Sequence, residues 1–240
     1  MFPIGDENLP GRGLAWLTTA LIVANVAVFL ILQAATGDNA FTYGWSAVPR
    51  EITTGVDLTR AVPIVVGGVE LLVPQEPGPD PIFLTLLSSM FMHGGWLHLI
   101  GNMVFLWVFG DNVEHRAGRL LFLVVYLATG LVGSMAQILS DPTSPIPTLG
   151  ASGAISGVLG AYIVLFPRNR VTAFAFRFVV QVPAVVAIGM WIVLQLLSGI
   201  GDAAGVGGVA YLAHIGGFAA GAFAGLLLKA RPDHGAGASG

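Results

Sequence analysis

Four side chains set among apolar residues have the types and spacing to do chemistry together. Ser152 stands in Gly150-Ala151-Ser152-Gly153-Ala154, His214 in Ala213-His214-Ile215-Gly216-Gly217, and His98 and Asn102 are four residues apart. A serine hydroxyl is a weak nucleophile near neutral pH and needs a base within hydrogen-bond reach, which imidazole supplies because it titrates close to working pH. The oxyanion formed by attack on a carbonyl needs donors set in advance, and Asn102, His98 and the Ser152 backbone N–H at a helix N-terminus are of the right kind. No carboxylate falls at this level of the chain, so the expectation is a Ser152–His214 dyad oriented by helix packing, not a triad closed by an acid. Each residue alone has a plain reading, since small and amide residues commonly pack or bridge helices in lipid. Ionisable groups inside apolar spans are costly, however, and the joint pattern argues for function.

The elements that must position these residues are apolar. Of the 240 residues 55% are hydrophobic and 10% charged, against about 25% charged in soluble domains. A bilayer-spanning helix needs about 20 mostly apolar residues. Six stretches approach that: about Leu14 to Ala35, Gly94 to Phe109 followed by a polar turn from Gly110 to Gly118, Arg119 to Leu139, Leu149 to Phe166, Phe176 to Leu197, and Gly208 to Lys229. The fold class expected is an all-α polytopic membrane protein, a six-helix bundle with a long outer loop after the first helix. Its parts are a cytoplasmic N-terminal segment (1–13), a membrane domain (14–229, with the outer loop at about 36–93) and a disordered cytoplasmic tail (230–240). The first span reads as a retained anchor, because Asp6 and Glu7 precede it and no clear A-x-A site follows.

Orientation follows from the basic residues, which resist export. With the N-terminus cytoplasmic, Arg12, Arg116, Arg119, Arg168, Arg170, Arg177, Lys229 and Arg231 lie inside, and only Arg50 and Arg60 lie outside. Spans two, four and six then start at the outer side, and the candidate residues sit roughly 5–12 Å deep at about 1.5 Å per residue. Lateral approach is legible too. Gly150, Gly153, Gly157 and Gly160 line one stripe of the fourth span, and Gly217, Gly221 and Gly225 one stripe of the sixth. Bare stripes let helix backbones come close in lipid. In the outer loop, Val62 to Val73 around Gly67 and Gly68 predicts a hairpin, and Pro81 to Met92 an interfacial segment. Gln181 and Gln195 are further polar residues of the fifth stretch, without an assigned role.

Several classes are excluded. The scattered basic residues and net charge of −3 give no nucleic-acid footprint. The absence of cysteine removes thiolate nucleophiles and disulfides. No HExxH or similar spacing is present, so no metal or other cofactor is expected. Gly199-Ile200-Gly201-Asp202 spells a GxGD string, but aspartyl chemistry needs two carboxylates.

These motifs carry a resemblance. Gly150-Ala151-Ser152-Gly153 resembles the GxSG nucleophile motif of bacterial rhomboid proteases, Ala213-His214 with Gly217 and Gly221 resembles their AHxxGxxxG, and His98 to Asn102 their HxxxN. The likeness extends over about Leu14 to Lys229. It implies six spans in the plasma (inner) membrane, both termini cytoplasmic, around a water-filled cavity open to the outer side. Ser152 would attack the scissile carbonyl, His214 would move the proton, and His98 and Asn102 would help hold the oxyanion. Glu114 and Gly118 would form a structural turn after the second span. Substrates would be membrane proteins cut in or near a transmembrane segment, with small residues at the cleaved position; the alternative is a non-catalytic rhomboid-like protein that binds membrane clients. Two departures stand out. Ser156 occupies the place where many relatives have an aromatic residue against the catalytic histidine, leaving Phe218 or Tyr211 as expected substitutes, and a Trp-Arg pair before Met92 is missing.

Overall fold

A computed structural model describes residues 2–9, 13–175, 177–201 and 209–231. Asp202 and most of the predicted tail therefore lie outside the described residues. The order is β1 (Phe2–Asp6), α1 (Trp16–Ala27, continued by a π-helical turn Val28–Leu32), α2 (Ala40–Trp45), α3 (Pro49–Thr54), β2 (Val62–Val66), β3 (Val69–Val73), α4 (Thr85–Ser88), α5 (Trp96–Ala117), α6 (Arg119–Ser140), α7 (Ser152–Leu165), β4 (Arg170–Ala175), β5 (Phe178–Pro183), α8 (Ala184–Gly201) and α9 (Tyr211–Lys229).

Each of the six apolar stretches holds a helix. By length and composition α6 and α9 can each cross a membrane, and α5 joins them if it is counted with the short helical segment Ile82–Phe91, from which it is bent by 76°. Trp16–Leu32, Ser152–Leu165 and Ala184–Gly199 are apolar but shorter.

The helices pack through their glycines. A Cβ on Gly221 would collide with the Gly157 carbonyl, and one on Gly217 with the Gly153 carbonyl. With hydrogen in those places α7 and α9 run backbone against backbone, and the stripes read from the sequence do face one another. A Cβ on Gly133 of α6 would meet the Ala213 carbonyl, so α6 closes on the same pair.

Two sequence expectations need correction. The residues from Gly110 to Gly118 are not a polar turn, because α5 continues to Ala117 and only Gly118, at φ 80°, turns the chain. Helix persists because Glu114 has a structural task one turn from its end. Its carboxylate accepts the Leu17 and Thr18 amides at 3.0 and 2.7 Å and the Thr18 hydroxyl at 2.8 Å. It thereby satisfies donors that every helix start leaves open, and ties α1 to α5. The fifth stretch is likewise not one helix. Its first part is β5, the edge of a three-stranded sheet ordered β1-β4-β5, and α8 starts only at Ala184. A short apolar run serves strand or helix equally well, and the partner strand decides. β1 supplies that partnership on the other side, with Phe2 opposite Phe174. Asp6 then receives hydrogen bonds from the Tyr162 hydroxyl and the Asn112 amide nitrogen, pinning the N-terminal strand against α5 and α7.

The loop between α1 and α5 holds the expected hairpin. β2 and β3 form the hairpin, Val62 opposite Val73. Buried Gln33, just past α1, takes the His93 amide at 2.8 Å and donates to the His93 carbonyl at 3.0 Å, which anchors the approach to α5. Glu51 of α3 accepts the Leu58 amide at 2.8 Å. Burial pushes its carboxyl up to about 7 from an ordinary value of 4.5. Between those values the unfolded chain has lost the proton that the folded protein keeps, so stability falls as pH rises from about 4.5 through about 7 and then levels. Glu51→Gln keeps an acceptor without the charge. Thermal melts of the variant should show a flatter pH dependence across that window and a higher melting temperature than wild type above it.

Candidate active site

Ser152 is the first residue of α7, not several residues inside it. Its position is set by the loop before it. Thr148 pairs with Ala47, between α2 and α3, through Ala47 N to Thr148 O at 3.0 Å and the reverse bond at 2.8 Å. Gly150 then donates to the Ser89 carbonyl at 2.9 Å. Gly150 sits at φ 133°, where an L side chain is strained, and a Cβ there would lie 2.9 Å from the His98 ring and 3.5 Å from the Ser152 hydroxyl. This glycine is what lets His98 and Ser152 share one side of the loop.

His214 is buried near the start of α9. Its Nε2 lies 2.8 Å from Ser152 Oγ and its Nδ1 lies 2.7 Å from Gln195 Oε1. The amide oxygen can only accept, so Nδ1 carries the proton and Nε2 accepts from the serine hydroxyl. The packing expected from Phe218 or Tyr211 is supplied instead by Trp191, whose ring centroid is 5.9 Å from that of His214 at 39°. Ser156, in the place of the missing aromatic, donates to the Ser152 carbonyl at 2.6 Å.

His98 accepts the Gly94 amide on Nδ1 at 3.3 Å, which leaves the proton on Nε2, the ring edge that lies against Gly150. Asn102 lies one turn further along α5, 8% exposed, and its side-chain nitrogen is buried with no partner. A buried amide donor left unpaired costs about 1–3 kcal/mol, and no acceptor among the described residues competes for this one. The first-turn amides of α7, Ser152 included, have no acceptor within their helix. Beside Ser152 opens a shallow pocket walled by Ser89, Ser134, Gln137, Thr148 and Ala213.

All four residues singled out in the sequence thus lie towards the N-terminal ends of α5, α7 and α9. Glu114 is not among them, since it works at the other end of α5. Sequence reasoning missed the role of Gln195. Its signal was a lone amide four residues after Trp191 in an otherwise apolar helix. Among the described residues no group of three or more His, Cys, Asp or Glu side chains could hold a metal ion.

Known proteins resemble this chain. The profile of the Rhomboid domain matches residues 82–231. The chain is 34% identical over 150 residues to RHOMBOID-like protein 5 of Arabidopsis thaliana, covering 62% of this chain and 45% of that one. It is 35% identical over 143 residues to Rhomboid protease GluP of Bacillus subtilis (strain 168), covering 60% and 25% respectively. RHOMBOID-like protein 4 of Arabidopsis thaliana matches at 28% over 241 residues, covering 92% of this chain and 54% of its own. The chain therefore spans between a quarter and about half of the length of these relatives. The matched region carries Ser152, His214, His98 and Asn102, and the chain belongs to the rhomboid family of polytopic helical membrane proteins.

Proposed function

We propose that the protein is an intramembrane serine endopeptidase that cuts membrane proteins in or near a transmembrane segment, with Ser152 as nucleophile and His214 as general base. The observation that carries this reading is the 2.8 Å contact between Ser152 Oγ and the bare Nε2 of His214. As the hydroxyl oxygen bonds to the scissile carbonyl carbon, Nε2 takes its proton and the carbonyl oxygen becomes an oxyanion. His98 Nε2–H, the unpaired Asn102 amide and the Ser152 backbone N–H stand ready for that charge. The imidazolium then protonates the leaving amine, the peptide bond breaks, and an acyl-enzyme on Ser152 remains. Water, deprotonated by the same nitrogen, hydrolyses the ester and returns the hydroxyl. Apart from the hydrolytic water, every step uses groups of this chain, and the naming of GluP as a protease supports the class.

In this reading the membrane domain (14–229) has six spans with both termini in the cytoplasm, and the site opens to the outer side of the membrane. The distribution of basic residues supports the orientation. The shortness of α7, Ser152–Leu165, suits a site sunk below the membrane surface, where its first residue can be wetted from outside. The shallow pocket beside Ser152 favours a small side chain at the cleaved position.

Asn102 tests the oxyanion assignment. Asn102→Ala should lower kcat by about 10²-fold, the lower range for loss of one preorganised donor, with KM little changed. Steady-state cleavage of a model transmembrane substrate in detergent reads this, and an unchanged kcat removes Asn102 from the site.

A further inference from the structure

We infer that Gln195 is a positioning residue for the reaction, its amide oxygen holding His214 in the tautomer and ring angle that leave Nε2 free for the Ser152 proton. This rests on the protease reading of the site. The Nδ1 to Oε1 distance of 2.7 Å is that of a well-formed hydrogen bond. It is made by a polar side chain in α8, whose neighbouring positions Val193, Leu194, Leu196 and Leu197 are apolar and exposed, facing away from the protein. Trp191 stands one turn earlier in α8 and flanks the same imidazole. α8 thus presents a ring to the face of His214 and an acceptor to its edge.

The choice of an amide is physically sensible in this setting. A carboxylate at Gln195 would hold the same proton more strongly, but would place an unpaired charge in an apolar helix, which is costly. A neutral amide oxygen orients the ring without that penalty. It also stabilises the imidazolium less than a carboxylate does, so the base relies on geometry more than on charge. If the Gln195–His214 bond were lost, the ring could place its proton on Nε2, and that nitrogen could no longer accept from Ser152.

Three variants and two readouts test this. Gln195→Leu should lower kcat by about 10- to 100-fold, by analogy with the loss of a partner that orients a metal-bound histidine, with KM little changed. Gln195→Glu should recover most of that rate and move the acid limb of the kcat–pH profile to higher pH, because a carboxylate favours the protonated ring. A change due only to packing moves no limb. ¹⁵N spectra of histidine-labelled protein should show His214 protonated on Nδ1 in the wild type and a mixture of tautomers in Gln195→Leu. Wild-type kcat in Gln195→Leu, or an Nε2-protonated His214 in wild type, would overturn the assignment. Should Gln195→Leu not fold, the limb shift in Gln195→Glu decides instead. Cleavage that survives Ser152→Ala would mark failure of the protease reading itself, and the tautomer spectra would still decide whether Gln195 orients His214.

Discussion

Replacing Ser152 by alanine is expected to lower the cleavage rate by on the order of 10⁶-fold, the scale seen when a serine nucleophile is deleted, while the protein stays folded. The two halves of this expectation come from different features. In the proposed reaction the hydroxyl bonds to the substrate carbonyl while handing its proton to Nε2 of His214, 2.8 Å away, so removing it removes the covalent path. The fold does not depend on it. Ser152 opens α7, where alanine is at least as good a helix former. His214 keeps its bond to Gln195 and its contact with Trp191. Gel-based cleavage of a model transmembrane substrate, run beside thermal melts of both proteins, separates activity from stability. His214→Ala should match it in rate, because deletions within one catalytic unit do not add.

The second large effect is on folding. In Gly221→Ala the new methyl would overlap the Gly157 carbonyl of α7. That oxygen is backbone in a helix and cannot move aside, so α9 must retreat along its whole contact with α7. Overpacking of this kind costs about 1–3 kcal/mol and occasionally more, and retreat of α9 carries His214 away from Ser152. Gly221→Ala should therefore lose both thermal stability and activity. Gly101→Ala is the control: a Cβ there meets nothing within 4 Å, and alanine is worth up to about 1 kcal/mol more than glycine in a helix. Equal melting temperatures for the two variants would reject the close contact of α7 and α9.

This contact was legible in the sequence because glycine spacing maps directly onto one helix face. So was the approach of Ser152 to His214, since polar groups in apolar stretches are costly and their joint placement at one level stands out. The sheet was not legible. β1 is five residues long and pairs with a strand more than 160 residues away, and β5 lies within an apolar run that reads as the start of a span. Nothing local distinguishes these states. Glu114 looked like part of a turn because its charge interrupts an apolar pattern. Its partners, Leu17 and Thr18, lie in another helix, and only tertiary structure shows that the charge is neutralised by a helix start. Gln195 was visible as an oddity, but its bond to His214 depends on the rotation of α8, which hydrophobic periodicity in an almost wholly apolar helix does not set.

The most direct measurement is the site of covalent capture. Wild-type protein in detergent, treated with a fluorophosphonate that reacts with activated serines, should gain one adduct, localised by mass spectrometry to Ser152. His214→Ala should gain almost none. An adduct on another serine, or equal labelling of Ser152 in His214→Ala, would contradict a nucleophile activated by His214.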